Sequence, residues 1–127
     1  MINKDYADYA WEQTAALLAI DSPSGFTHRA AEWVKTAFEA LGFPAKITTK
    51  GGVLADLGGE NADDGLFLEA HSDTLGAMVA QIKGSGRLRL TAVGGMEPNN
   101  ADAENVRIYT RSGKGYDGTC KLCNASV

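Results

Sequence analysis

The stretch Leu66–Gly76, LFLEAHSDTLG, constrains the fold of this chain more than any other. It opens with an apolar run, which is typical of a buried strand, and breaks into polar residues at His71. A strand that ends in this way delivers His71 and Asp73 to the edge of a sheet, where ligands bind in open α/β folds. Because a neutral imidazole is the commonest metal ligand, one interpretation of the stretch is a metal site at the strand end. The alternative is a hydrogen-bonded histidine–carboxylate pair that binds no metal.

Length and charge limit the classes of protein that need to be considered. A chain of 127 residues can form a modest domain that buries about two-thirds of its unfolded surface. The net charge of −4, without a block of lysine or arginine, argues against nucleic acid or an anionic membrane as a partner. No apolar run has the length of a signal peptide or a membrane span. We therefore expect a soluble, cytoplasmic protein.

Cys120 and Cys123 form a single C-x-x-C pair near the end of the chain. A structural zinc site needs four ligands, and the sequence has no second pair to complete one. A redox C-x-x-C lies near a βαβ pattern, whereas this pair falls inside a strand pattern. We expect two ordinary strand cysteines.

Helical periodicity dominates the first part of the chain. Apolar residues recur at helical spacing over Asn3–Ile20 and again over Thr27–Leu41. Asn3 or Asp5 can cap the first helix, and Gly42 supplies the C-terminal stop of the second. His28, in the first turn of the second helix, is expected to be a solvated surface residue.

The period then changes from 3.6 to 2, which predicts strands. Ala45–Thr49 and Val53–Leu57 are expected to form a hairpin, followed by the strand that carries His71. No helical pattern appears after Gly76. Four further strands are predicted there, in two hairpins: Met78–Ile82 with Arg87–Ala92, and Asn105–Thr110 with Tyr116–Cys123. The pattern therefore predicts an α/β unit followed by an all-β unit.

Several short motifs are spaced along the chain. The specific ones are Ala70-His71-Ser72-Asp73 with Gly76, and Val93-Gly94-Gly95 farther on. Weaker ones are Ser22-Pro23-Ser24-Gly25, Gly52-Val53-Leu54-Ala55, Glu104-Asn105-Val106-Arg107-Ile108 and Tyr116-Asp117-Gly118-Thr119. In this order they resemble the N-terminal part of an M42-type metalloaminopeptidase, the glutamyl aminopeptidase or endoglucanase-M-like family.

This resemblance implies a fold and a role for two residues. Residues 1–74 would be the N-terminal part of an αβα zinc-exopeptidase catalytic domain. Residues 75–127 would begin an inserted, barrel-like all-β domain used for subunit assembly. His71 would be a ligand to one metal ion, and Asp73 would orient the imidazole of His71.

The resemblance also implies an activity. Such enzymes hydrolyse N-terminal residues from short peptides with two divalent metal ions, zinc or cobalt, in a homo-oligomer. The remaining ligands and the general base of the family lie beyond the inserted domain, so His71 is the only ligand expected here. We therefore expect an N-terminal fragment that is inactive by itself.

Two other interpretations are compatible with the same residues. An M20-type metallo-deacylase or carboxypeptidase shares the His-x-Asp strand, although its lid lies later in the chain and contains helices. A β-rich module that self-associates through unpaired strand edges would have no catalytic role.

Overall fold

The computed structural model of the chain describes residues 3–61 and 63–122. It divides into two compact units, one ending at Leu75 and the other beginning at Gly76. The first unit holds two α-helices and a β-hairpin, and the second holds two β-hairpins and a short 3-10 helix. The predicted α/β class is confirmed at this level. None of the helices in the described residues is long and apolar enough to cross a bilayer.

Helix α1 spans Lys4–Leu18 and begins at a side-chain cap. The side-chain oxygen of Asn3 accepts a hydrogen bond from the backbone N–H of Asp5 at 3.2 Å, which confirms Asn3 as the capping residue. No residue of α1 is buried, and the large side chains of Trp11 and Leu18 are exposed. The helix therefore has a local cap, while most of its large apolar side chains are exposed in the described part of the chain.

Helix α2 spans His28–Ala40 and provides the buried apolar residues of the first unit. Ala30 and Ala31 are the buried hydrophobic residues among those described, and α2 packs against the following hairpin. Gly42, two residues after the last helical residue, has a φ of 88° and terminates the helix, as the sequence predicts. Backbone bonds of 3.0 Å run from Gly42 to Glu39 and from Phe43 to Phe38, the pattern of a Schellman motif.

The hairpin beside α2 consists of β1, Ala45–Ile47, and β2, Val53–Ala55. The strands pair antiparallel, with Ala45 opposite Ala55. The predicted hairpin is therefore confirmed, although both strands end earlier than the sequence suggests.

The second unit contains two antiparallel hairpins. The first pairs β3, Gly76–Ile82, with β4, Leu88–Val93; the second pairs β5, Asn105–Tyr109, with β6, Gly115–Thr119. Both predicted hairpins are present, and a 3-10 helix at Pro98–Ala101 lies between them. The three hairpins of the described chain are separate two-stranded sheets.

The predicted strand that should carry His71 is not formed, so that prediction is wrong. Residues 66–70 have no regular secondary structure. Leu66, Phe67 and Leu68 are 86%, 71% and 77% exposed. A strand requires hydrogen-bonding neighbours, and no backbone hydrogen bond joins this segment to another described residue. The apolar run predicts burial but does not by itself supply a partner strand.

Cys120, which the sequence predicts to lie in a strand, also lies outside one. Strand β6 ends at Thr119, and Cys120 is a half-buried free thiol immediately after it. Cys123 lies outside the described residues.

Candidate functional site

The loop between α1 and α2 lies against the residues that follow His71. The backbone N–H of Thr74 donates to the carbonyl oxygen of Ser22 at 2.8 Å. Pro23 and Thr74 form an isolated parallel bridge. These contacts, rather than the predicted strand, hold the His71–Thr74 segment in place within the first unit.

The loop contributes a tight turn that presents Ser24. The N–H of Phe26 donates to the carbonyl oxygen of Pro23 at 2.8 Å. Gly25 closes this turn with a φ of 85°, a conformation that favours glycine. The position of Ser24 is therefore set by the backbone of the turn.

His71 and Asp73, the two predicted site residues, are brought together. The Nδ1 atom of His71 lies 3.0 Å from Oδ1 of Asp73 and 3.1 Å from the carbonyl oxygen of Asp73. Since both neighbours of Nδ1 are acceptors, the neutral ring carries its proton on Nδ1, and Nε2 keeps its lone pair. The His71 side chain is 86% exposed and that of Asp73 is 39% exposed. The pair therefore presents the unprotonated Nε2 of His71 at the surface, where it is a candidate metal ligand.

Ser24 binds the second oxygen of the Asp73 carboxylate. Its hydroxyl donates to Oδ2 of Asp73 across a sequence separation of 49 residues. This hydrogen bond, followed by the weaker contribution of His71, lowers the pKa of Asp73, while desolvation opposes the shift. Sequence reasoning did not assign this role to Ser24, although its motif Ser22-Pro23-Ser24-Gly25 was a usable signal.

Ser22, two residues earlier in the same loop, has a different environment. It is only 1% exposed, and its hydroxyl has no hydrogen-bond partner among the described residues. Its backbone carbonyl, by contrast, accepts the bond from Thr74. Ser22 therefore contributes packing and a backbone acceptor rather than side-chain chemistry.

The donor set fits one metal ligand rather than a complete metal site. Imidazole nitrogen suits zinc and related transition metals, and a carboxylate on the other ring nitrogen is the usual support of a ligating histidine. Among the described residues, however, no group of three His, Cys, Asp or Glu side chains could hold an ion. His71 is therefore a single candidate ligand.

His28, the other histidine, has an unrelated environment. It is the exposed first residue of α2, as predicted, and its ring meets the Phe26 ring edge-on at a centroid distance of 5.1 Å. It is therefore a natural control residue for experiments on His71.

Comparison with known sequences places this geometry in context. A family profile of M42 glutamyl aminopeptidases matches residues 51–125, a range that includes His71 and Asp73. The protein YhfE of Bacillus subtilis (strain 168), provisionally named an aminopeptidase, is 37% identical over 111 residues, which cover 87% of this chain and 32% of YhfE.

Two further relatives are similar over nearly the same share of the chain. The glutamyl aminopeptidase of Lactococcus lactis subsp. cremoris (strain MG1363) is 29% identical, with coverage of 82% of this chain and 30% of the relative. The lysyl aminopeptidase of Pyrococcus furiosus (strain ATCC 43587) is 28% identical, with coverage of 84% and 30%. The chain thus spans about a third of the length of the curated relatives that it matches.

Proposed function

Because the chain belongs to the M42 glutamyl aminopeptidase family, we propose that it forms the N-terminal part of a metalloaminopeptidase. The enzyme removes N-terminal residues from short peptides. The observation that carries the proposal is the His71–Asp73 pair, with Nδ1 of His71 3.0 Å from the carboxylate. The names of the three relatives support the same reaction class. The family match favours this activity over the M20-type alternative.

In this proposal His71 is the residue that holds a divalent ion, zinc or cobalt, through Nε2. Asp73 accepts a hydrogen bond from the Nδ1–H of His71 and thereby orients the ring. The chemistry that two bound ions supply in such an enzyme is Lewis-acid activation of water and polarisation of the scissile carbonyl. The other ligands and the general base are expected from the part of the enzyme that follows the inserted β-domain.

We extend the proposal to the organisation and setting of the whole protein. Residues 1–74 belong to its catalytic domain, and residues 75–127 begin an inserted β-domain through which subunits assemble into a homo-oligomer. Support for this division comes from the boundary between Leu75 and Gly76 and from the all-β character of the second unit. We place the enzyme in the cytoplasm.

A chimaera tests the activity. The aligned 111-residue segment of YhfE is replaced by the corresponding segment of this chain, and hydrolysis of aminoacyl-nitroanilides is measured with Zn²⁺ or Co²⁺. The parent YhfE is assayed first, with the same substrates. We expect the chimaera to retain the activity of the parent, since the donated segment brings its own His71–Asp73 pair.

Two variants make the test specific. His71→Ala is expected to abolish the activity of the chimaera, whereas His28→Ala, which removes a surface imidazole on α2, should leave it unchanged. A folded chimaera that is equally active with and without His71 would contradict the proposal.

A further inference from the structure

The carboxylate of Asp73 is held from two sides. Oδ1 lies 3.0 Å from Nδ1 of His71, and Oδ2 accepts a hydrogen bond from the hydroxyl of Ser24. A carboxylate ends in a torsion with a broad energy profile, so one hydrogen bond alone leaves its orientation loosely defined. The bond from Ser24 removes that freedom and directs Oδ1 at the imidazole.

The backbone around Ser24 makes this contact well placed. The Thr74 N–H bonds to the carbonyl of Ser22 at 2.8 Å, and Pro23 bridges Thr74. Ser24 therefore directly follows two anchored residues, Ser22 and Pro23, and lies opposite Asp73. A short side chain on an anchored backbone loses little entropy when it forms a hydrogen bond.

We propose that Ser24 is a positioning residue for His71: its hydroxyl orients the carboxylate of Asp73, which in turn holds His71 in the Nδ1–H tautomer. The part of this inference that concerns metal binding at Nε2 rests on the proposed function. The part that concerns the tautomer rests on the geometry alone. In general, the partners of a ligating histidine set its tautomer and its basicity.

Neighbouring serines provide a matched pair of variants. Ser24→Ala removes the hydroxyl that bonds to Asp73, whereas Ser22→Ala removes a buried hydroxyl without a partner among the described residues. Ser24→Thr keeps a hydroxyl at the position and should restore the parent behaviour. If Ser24→Ala fails to fold, Ser24→Cys retains the shape with a much weaker donor.

The first readout is the tautomer of His71 in the metal-free chain, measured by ¹⁵N–¹H NMR at about pH 9, where imidazoles are neutral. We expect the Nδ1–H form to dominate in the parent and in Ser22→Ala. Ser24→Ala should lower the ratio of Nδ1–H to Nε2–H by about threefold, the effect of one weakened hydrogen bond. The loss is partial because the carbonyl oxygen of Asp73 also faces Nδ1, at 3.1 Å.

The second readout is a titration with Zn²⁺, followed through the His71 ring signals. Ser24→Ala should weaken binding by about tenfold, the lower end of the range for partners of metal ligands; Ser22→Ala should not. The two readouts separate the two proposals. If the His71 ring signals of the parent chain do not change when Zn²⁺ is added, the proposed ligand role is contradicted. If Ser24→Ala leaves the tautomer ratio unchanged, the positioning role is overturned.

Discussion

At the scale of single residues, Asp73 is the centre of the site. It lies two residues from His71 in sequence but is also bound by Ser24, 49 residues away. One carboxylate thus joins a local contact, which a short motif can encode, to a contact that only the folded loop provides. The two serines of that loop have opposite environments, since Ser24 is exposed and Ser22 is buried.

The lowered pKa of Asp73 predicts how the stability contributed by its carboxylate depends on pH. In the metal-free chain its carboxylate should titrate below the ordinary value of about 3.9, because Ser24 and His71 donate to the ionised form. A depressed carboxyl pKa contributes stability that is present above the ordinary value and is lost as the pH falls through the lowered one. Titration of the Asp73 carboxyl carbon by ¹³C NMR measures this pKa.

Ser24→Ala should raise the pKa of Asp73, since it removes the largest cause of the shift. Ser22→Ala serves as the control and should leave it unchanged. An Asp73 pKa that is the same in Ser24→Ala and in the parent would refute this account.

Most substitutions of buried residues lower the stability of a protein, but Ser22→Ala should not. Its side chain is 1% exposed, and its hydroxyl has no partner in the described part of the chain. Because a buried unpaired hydroxyl carries an uncompensated desolvation cost, Ser22→Ala should leave the free energy of unfolding unchanged or raise it by up to about 1 kcal/mol. Urea denaturation followed by circular dichroism measures this, and a loss of stability would show that the hydroxyl is satisfied.

At the scale of elements, the first unit is built on the packing of α2 against the β1–β2 hairpin. The helix buries Ala30 and Ala31 and packs against β1 and β2. The Schellman motif at Gly42 then turns the chain towards Pro44 and β1. The backbone conformation at Gly42 therefore affects both the end of α2 and the packing of the hairpin that follows.

Gly42→Ala should destabilise the first unit. Gly42 has a φ of 88°, and an alanine in this left-handed conformation costs about 1–2 kcal/mol. The cost comes from the backbone, because no atom lies within 4 Å of the added Cβ. Gly65→Ala is the matched control, because its added Cβ is also free and its φ is not positive. Urea denaturation at 222 nm should show a lower midpoint for Gly42→Ala, and equal midpoints for both variants would argue against the backbone explanation.

The segment 66–70 should exchange its amide hydrogens rapidly. No backbone hydrogen bond to another described residue protects it, and its leucines and phenylalanine are mostly exposed. The amides of α2 beyond its first turn, by contrast, lie in an intact hydrogen-bond ladder and should be protected. Hydrogen–deuterium exchange compares the two directly, and protection of residues 66–70 equal to that of α2 would indicate an additional strand partner.

At the scale of the whole molecule, the described residues supply one candidate metal ligand, His71, but not a metal centre. Catalytic zinc sites use three protein ligands, and no group of three candidate side chains is present in the described ranges. The exposed apolar side chains of α1 and of Leu66–Leu68 accompany this incomplete ligand set. Both features agree with a chain that covers about a third of its relatives.

The 127-residue chain by itself should therefore show no aminopeptidase activity. With Zn²⁺ or Co²⁺ added, hydrolysis of aminoacyl-nitroanilides should stay at the rate of the buffer control, because one imidazole cannot hold the ions that the reaction requires. Turnover that disappears in His71→Ala but persists in His28→Ala would contradict this prediction. It would mean that several chains combine their residues in one site.

The sequence by itself determined the elements whose contacts are local. The helices follow from periodicity, with Asn3 as cap and Gly42 as stop, and each hairpin joins strands that are neighbours in the chain. The closeness of His71 and Asp73 was predictable for the same reason, since only Ser72 separates them in sequence.

Only the tertiary structure decided the contacts between distant segments. It brought the Ser24 hydroxyl to the carboxylate of Asp73 and the Thr74 N–H to the carbonyl oxygen of Ser22. It also left Leu66–Leu68 exposed, where the apolar run predicted a buried strand. The physical reason is that an apolar run specifies that a segment gains by burial, whereas a strand also needs hydrogen-bonding neighbours from elsewhere in the chain. Which distant segments meet depends on closing the loops between them, and no local pattern of residues encodes that outcome.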